Sequence, residues 1–203
     1  MKTFDTTTRA ATPGGMYVSR AKYVRYFGDT PGERVVRRIG CRLPWFVHRW
    51  PVVGAWVHHW TQISEVLQQG CLNPAIVLDA GQGLVAVFTN LSNCEQFAKP
   101  VVRIIQERLH LIDGGAPPAG TRLAAACVYW RKDPGPPDAD WDDFSAIVVD
   151  CLVGDPGKCR EAQGRIKPMA WKALDASVAS LPRRDEPGLF PATVPSVLVR
   201  QCY

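Results

Sequence analysis

The predicted helix over residues 54–70 has one apolar face. Its large apolar side chains recur at spacings of four, three and four residues and are Trp56, Trp60, Ile63 and Leu67. That spacing places them on one side of an α-helix, and Gly70 is a typical helix end. A helix with a single apolar stripe must lie on an apolar surface, and the commonest such surface is the protein's own sheet.

Runs of β-branched and apolar residues after this helix predict five strands, each bounded by turn residues. They cover residues 75–79, 84–89, 100–105, 122–130 and 144–153. The four residues 80–83 predict a tight hairpin between the first two strands. The third run also suits a helix, and a strand is the preferred interpretation. Because the loops are too short for parallel crossovers, we expect an antiparallel meander.

Helical signals return in the last quarter of the chain. Asp155 is a good N-cap, and the proline that follows it suits the first helical position. We expect that short helix to end at Gly164, a longer helix to begin at Pro168, and an irregular tail to begin at Pro187. The fold class is therefore α+β. The predicted architecture is an antiparallel five-stranded sheet or small partly open β-barrel, with an N-terminal amphipathic helix and C-terminal helices.

Charge divides the chain into unequal parts. Residues 1–60 carry 10 Lys and Arg against 3 Asp and Glu, which is a net charge of +7, whereas residues 61–203 carry 14 against 16, which is −2. We interpret residues 1–53 as a basic aromatic arm that is partly flexible, 54–190 as the sheet-rich domain and 191–203 as a C-terminal tail. A charge imbalance of this kind indicates an anionic partner.

The arm supplies the candidate contact residues. They combine guanidinium groups with aromatic rings and are Arg34, Arg37, Arg38, Arg42, Arg49, Trp45, Phe46 and Trp50. This mixture suits an anionic membrane surface or an acidic protein, because arginines pair with phosphates while rings lie at headgroup depth. Nucleic acid is a less favoured partner that the same residues would also suit. The alternative is that the tryptophans pack in a core and the arginines only solvate it.

Two motifs resemble ligand-binding loops, but each lacks a structural feature that the loop requires. Gly81-x-Gly83-x-x-Ala86 resembles a dinucleotide-binding loop, but a strand follows it where the pyrophosphate would need a helix N-terminus. No cofactor is expected. The acidic run 138–143 resembles the start of a calcium loop, but Asp143 and Val149 stand where an EF-hand has glycine and glutamate. We expect a solvated acidic turn there, and whether it binds a metal is left open.

The remaining chemistry-bearing residues do not predict an enzyme. Four histidines form no H-E-x-x-H motif, and no G-x-S-x-G elbow is present. Seven cysteines, an odd number without a C-x-x-C pair, indicate buried reduced thiols rather than disulfides.

Neither a secretory signal nor a membrane span is expected. The first 13 residues lack the apolar core of a secretory signal. The apolar stretch 43–60 is interrupted by Arg49 and two prolines, so we do not expect it to cross a bilayer.

We therefore expect a cytoplasmic, non-enzymatic interaction module, located peripherally at a membrane if its partner is lipid. An unrecognised enzyme or a purely structural domain is the remaining alternative.

Several short segments between residues 72 and 190 carry a resemblance to a known family. They are Leu72-Asn73-Pro74, Lys99-Pro100-Val101-Val102-Arg103-Ile104-Ile105, Trp141-Asp142-Asp143-Phe144, Val148-Val149-Asp150-Cys151, Gly154-Asp155, Ile166, Trp171-x-x-Leu174 and Pro187-Gly188-Leu189-Phe190. On these segments the stretch 72–190 resembles an uncharacterised bacterial domain family of unknown function. The resemblance supports the domain boundary, implies no activity, and does not extend to the basic arm.

Overall fold

The computed structural model describes residues 13–28, 51–92, 98–132 and 139–195, with residues 51–57 described by their backbone alone. Within these ranges the helices are α1 (Arg20–Phe27), α2 (Pro51–Gln69), α3 (Val149–Leu152), α4 (Pro156–Arg165) and α5 (Pro168–Ala179), with a 3-10 turn at Leu109–Leu111. The strands are β1 (Cys71–Asp79), β2 (Leu84–Asn90), β3 (Pro100–Gln106), β4 (Arg122–Trp130), β5 (Asp143–Val148) and β6 (Gly188–Pro191). The α+β class and the antiparallel sheet are confirmed.

The strand order corrects the predicted meander. The sheet has the order β5-β4-β1-β2-β3-β6, so β4 lies beside β1 instead of beside β3. The register of β4 on β1 runs from Cys71 opposite Cys127 to Ile76 opposite Arg122. Four strands in the spatial order 4-1-2-3 form a Greek key. The connection over residues 107–121 therefore carries the chain from one side of the sheet to the other.

The sheet has six strands rather than the predicted five. The sixth, β6, pairs with β3 where an irregular tail was expected. The segment has only four residues and ends in a proline, so its sequence does not predict a strand. It forms one by pairing with β3. The predicted fifth strand is divided, because the chain turns into α3 at Val149. A short buried apolar run suits strand and helix equally, so its pattern could not decide between them.

One face of the sheet is covered by α2, α4 and α5. Val66 and Leu67 of α2 are buried against this face, so the amphipathic helix rests on the chain's own sheet. Alternate residues of β2 and β3 meet the helices, as the two-residue period of a strand requires. The side chains on the sheet include Leu84, Ala86, Phe88, Val102 and Ile104.

The other face is the interior of a curled half-barrel. Arg103 of β3 forms an ion pair with Asp143 of β5, although three strands lie between them. In a flat sheet four strand spacings would separate those strands by about 19 Å. The sheet must therefore curl until β3 and β5 approach each other. Side chains fill the enclosed space, and Tyr129 Oη lies 3.0 Å from Asn73 Nδ2 and 2.6 Å from Thr89 Oγ1 there.

The β1–β2 hairpin brings two backbone segments into close contact at Gly83. The turn is closed by Asp79, whose Oδ1 accepts from Gly81 N at 2.7 Å, as expected for a hairpin rather than a cofactor loop. Gly83 has a φ of +70°, and a Cβ there would lie 2.2 Å from Glu107 O. Glu107 N also donates to Gly83 O at 2.7 Å. Only glycine permits this approach, which fixes the backbone of Glu107.

We expect Gly83→Ala to lower the free energy of unfolding by about 3 kcal/mol, because it combines a disfavoured φ with a backbone clash. Chemical denaturation measures this loss. Gly81→Ala is the matched control, since Gly81 has no positive φ and a Cβ there would meet only Asp79 Oδ1 at 3.3 Å. Equal losses in both variants would contradict the assigned role of Gly83.

Candidate functional site

The described part of the basic arm packs onto the domain through α1. Tyr23, in the middle of α1, is 1% exposed. Its hydroxyl lies 2.6 Å from His59 Nδ1, and its ring meets that of Trp60 edge-on with centroids 4.8 Å apart. The ring of Phe27, one turn later, lies edge-on to His59 at 4.5 Å. An aromatic cluster therefore joins α1 to α2, so both helices that flank residues 29–50 are held together.

Residues 13–19 are fixed to the domain by their backbone. Gly14 N donates to Gly70 O at 3.0 Å, and Met16 N donates to Leu67 O at 3.2 Å. A Cβ at Gly14 would lie 2.1 Å from Leu67 O, so this contact also requires glycine. The guanidinium of Arg165 donates to Gly14 O at 3.0 Å and to Pro13 O at 2.6 Å. The start of α1 is thus held on both sides.

Lys22 anchors the inner side of α1 with a buried positive charge. Its side chain is 8% exposed, and Nζ contacts Asp113 Oδ2 at 2.8 Å and Asp150 O at 2.9 Å. The hydrogen bond and charge of Lys22 lower the pKa of Asp113. Burial raises the pKa of Asp150, whose Oδ2 has no hydrogen-bond partner within the described residues. Lys22 is consequently a structural cation and is not available to an outside partner.

Glu107 is the second buried charge beneath the arm. It is 6% exposed and follows β3. Its Oε2 accepts from Tyr26 Oη at 2.5 Å, and its Oε1 accepts from Val148 N at 3.2 Å. Burial raises the pKa of Glu107. Burial, together with the adjacent Glu107 carboxylate, raises the pKa of Tyr26. This carboxylate joins α1, the end of β5 and the segment after β3.

The thiols in the described ranges are structural rather than nucleophilic. Cys71, Cys127, Cys151 and Cys159 are buried, and none of them is in a disulfide. Burial raises the pKa of Cys159 to about 12 and also raises the pKa values of Cys127 and Cys151. A reactive cysteine needs a lowered pKa and access to solvent. Cys127, Cys151 and Cys159 have a raised pKa, and all four thiols are buried.

The eight predicted contact residues lie outside the described residues, so they stay predictions. They are Arg34, Arg37, Arg38, Arg42, Arg49, Trp45, Phe46 and Trp50.

The acidic run is described over residues 139–143, and its carboxylates turn to different partners. Asp142 Oδ2 accepts from Lys132 N at 2.7 Å, while Asp143 pairs with Arg103. Within the described ranges, no three His, Cys, Asp or Glu residues are grouped as a metal ion would require. Asp138 lies outside those ranges.

Sequence patterns drew attention to the arm but not to the groups that hold it. Lys22 and Tyr26 lie within residues 1–53, which were interpreted as the basic aromatic arm, whereas Glu107 was not singled out. Its position directly after a strand, two residues from Ile105 and two from Leu109, is the local feature that could have drawn attention to it. The pairing of Glu107 with Tyr26 spans 81 residues and depends on the curl of the sheet.

Comparison with known proteins identifies the domain. A family described as "Protein of unknown function" matches residues 58–181. The chain belongs to this family, DUF3239. The resemblance to an uncharacterised domain family is thereby confirmed, and the DUF3239 match leaves residues 1–57 outside it.

A solved structure is similar to part of the DUF3239 chain. It is described as a "putative membrane protein from Corynebacterium diphtheriae", with 19% sequence identity and a TM-score of 0.48. The similarity covers 59% of this chain and 98% of that one. No curated protein matches. In the described part of the chain, no helix has both the length and the apolar character needed to cross a bilayer.

We expect replacement of Glu107 to change how stability depends on pH. The folded protein holds the Glu107 proton more tightly than the unfolded chain does, because burial raises the pKa above its ordinary value of 4.5. The free energy of unfolding of the wild type should therefore fall relative to that of Glu107→Gln as pH rises above 4.5 through the folded pKa. If the free energies of unfolding of the two proteins, measured by chemical denaturation, change in parallel between pH 4 and pH 8, this prediction is wrong.

Glu107→Ala should be destabilised at every pH. It leaves Tyr26 Oη and Val148 N without their acceptor, and each unsatisfied buried group costs about 1–3 kcal/mol. Glutamine retains one acceptor and one donor and should cost less. Urea denaturation of the two variants at neutral pH measures the difference, and an alanine variant as stable as the glutamine variant would exclude the bridging role.

Proposed function

We propose that this protein is a non-enzymatic interaction module, located in the cytoplasm, whose basic aromatic arm docks on an anionic surface. The preferred surface is a membrane, and an acidic protein is the alternative. The single observation that carries the proposal is the separation of charge, +7 over residues 1–60 against −2 over the remainder. Such a separation raises the rate and strength of association with an anionic partner.

The position of the arm supports the proposal. Residues 29–50, which hold all eight candidate contacts, begin directly after α1 and end directly before α2. Tyr23 joins these two helices, with its hydroxyl on His59. Because the helices on both sides of residues 29–50 are held on the domain, binding at those residues would be transferred to the whole molecule.

The buried groups of the described residues support a structural rather than catalytic interior. Lys22 is held by Asp113, Glu107 by Tyr26, and Arg103 by Asp143. General acid–base or nucleophilic chemistry requires paired groups that reach a substrate. These pairs instead join elements of the fold to one another.

We expect the full chain to co-sediment with vesicles of phosphatidylcholine and phosphatidylglycerol and to be poorly retained by phosphatidylcholine alone. Replacing Arg34, Arg37, Arg38 and Arg42 together with serine should weaken binding by tenfold or more, since each cation near an anionic surface contributes about 1 kcal/mol. Thermal unfolding should stay unchanged.

The matched control removes four positive charges from exposed positions outside the arm, at Arg160, Lys172, Arg183 and Arg184. Binding of this control should persist, because the proposal assigns binding to the arm and not to the total charge of the chain. Equal retention by neutral and anionic vesicles would overturn the membrane form of the proposal. Tight, salt-sensitive binding to single-stranded or duplex oligonucleotides in its place would favour a nucleic-acid binder.

A further inference from the structure

Helix α1 depends on its contacts with the rest of the molecule. It has eight residues, and Ser19, its N-cap, makes no side-chain capping hydrogen bond. No acidic residue lies in its first turn, where one would complement the helix dipole. Isolated helices shorter than about 12 residues are marginal in water, so tertiary contacts must keep α1 helical. We therefore expect a change that weakens those contacts to loosen α1 before the sheet.

Two shielded carboxyl groups lie beneath α1, which packs against α3 and the 3-10 turn. Glu107 is 6% exposed and accepts from Tyr26 Oη of α1 at 2.5 Å. Asp150 of α3 is half-buried, and its Oδ2 is shielded from solvent without a hydrogen-bond partner in the described residues. An ionised carboxylate is costly in such surroundings. Because α1 covers both groups, that cost falls when α1 moves away and water reaches them.

Positive charge beneath α1 offsets only part of this cost. Lys22 is the buried cation, and its Nζ contacts the carboxylate of Asp113 at 2.8 Å and the backbone oxygen of Asp150 at 2.9 Å. Two further cations lie nearby and are exposed, where water screens them. They are Arg108, which lies over the ring of Tyr26 at 5.7 Å, and Arg25, which acts on Asp113.

Protonation of Glu107 and Asp150 favours the docked position of α1. Burial raises the pKa of both groups. A carboxyl group with a raised pKa contributes stability below its ordinary pKa, and this contribution is lost as pH rises through the docked pKa. Lys22 instead lowers the pKa of Asp113 from 3.8, so Asp113 titrates at more acidic pH. The thiols that face these carboxyl groups, Cys151 and Cys159, have raised pKa values and are neutral at pH 5–8.

His59 of α2 acts in the opposite direction. Its Nδ1 lies 2.6 Å from Tyr23 Oη of α1. Burial lowers the pKa of His59 from 6.5, so protonation of this ring weakens the contact between α1 and α2 as pH falls. A test of the carboxyl groups must therefore keep His59 unchanged and compare variants at the same pH.

We propose that α1 is a pH-sensitive latch: ionisation of Glu107 and Asp150 loosens α1 from the half-barrel, and their protonation fastens it. Residues 29–50 begin directly after α1. The latch would consequently decide whether the amino-terminal end of that segment is fixed to the domain. This inference goes beyond the proposed function and does not depend on what the arm binds.

Hydrogen exchange of the full chain tests the latch between pH 5 and pH 8. The reporters are Tyr23 N, which donates to Ser19 O at 2.8 Å, and Gly28 N, which donates to Val24 O at 2.9 Å. Their protection factors, which correct for the intrinsic effect of pH on exchange, are compared with those of β1 and β2. The α1 amides should be less protected than the strand amides at pH 8, because α1 opens while the sheet stays folded.

The variant Glu107→Gln/Asp150→Asn isolates the two carboxyl groups. The α1 protection of the wild type, divided by that of the double variant at the same pH, should fall about tenfold from pH 5 to pH 8, since one pKa unit changes an equilibrium by that factor. Asp150→Asn alone should show a smaller fall and replaces the double variant if that does not fold. Asp175→Asn, which removes an exposed carboxyl group paired with Arg122, is the matched control and should follow the wild type.

Two results would overturn the latch. The first is equal protection of α1 and the strands at pH 8, because α1 would then open only when the whole domain unfolds. The second is a ratio of wild type to variant that stays constant from pH 5 to pH 8. Loss of vesicle binding by the wild type would instead count against the membrane form of the proposed function and would leave the exchange result unchanged.

Discussion

The structure depends on the buried carboxylate of Glu107. The curled sheet brings the end of β3 towards β5, although these two strands are not paired through their backbones. Instead, the Glu107 carboxylate accepts a hydrogen bond from the backbone of β5, at Val148 N. The same carboxylate accepts from Tyr26 Oη and so fixes α1 to the opening of the half-barrel. A buried charge is costly, and the two donors offset part of that cost. Gly83 makes the position possible, because any side chain there would strike the backbone of Glu107.

Both outer strands of the sheet are protected against further pairing. At one edge, β5 is bridged to the β3 side by Glu107 and by the ion pair of Arg103 with Asp143. At the other, β6 is bounded by Pro187 and ends with Pro191, which have no N–H to donate. Edge strands with prolines or covering side chains resist association through the sheet.

The described part of the arm is divided between core and surface. Lys22 and Tyr23 are buried and paired, so this side of α1 belongs to the interior. Tyr17 and Arg25 are exposed on fixed backbone. Helix α1 can anchor the arm with one face and present charge on the other, because residues three to four apart in a helix share a face. Charge composition alone could not assign individual residues to either side.

The sequence by itself determined the elements whose signals are local. The stripe from Trp56 to Leu67 predicted α2, the residues 80–83 predicted the hairpin, and Asp155 before proline predicted the start of α4. Periodicity, turn residues and caps act over a few neighbours, so their signals are visible in the sequence. Only the tertiary structure decided the return of β4 to β1, the strand at Gly188–Pro191 and the pairing of Glu107 with Tyr26. Strand order and buried pairs join residues far apart in the chain, and they form only when the whole sheet curls around one interior.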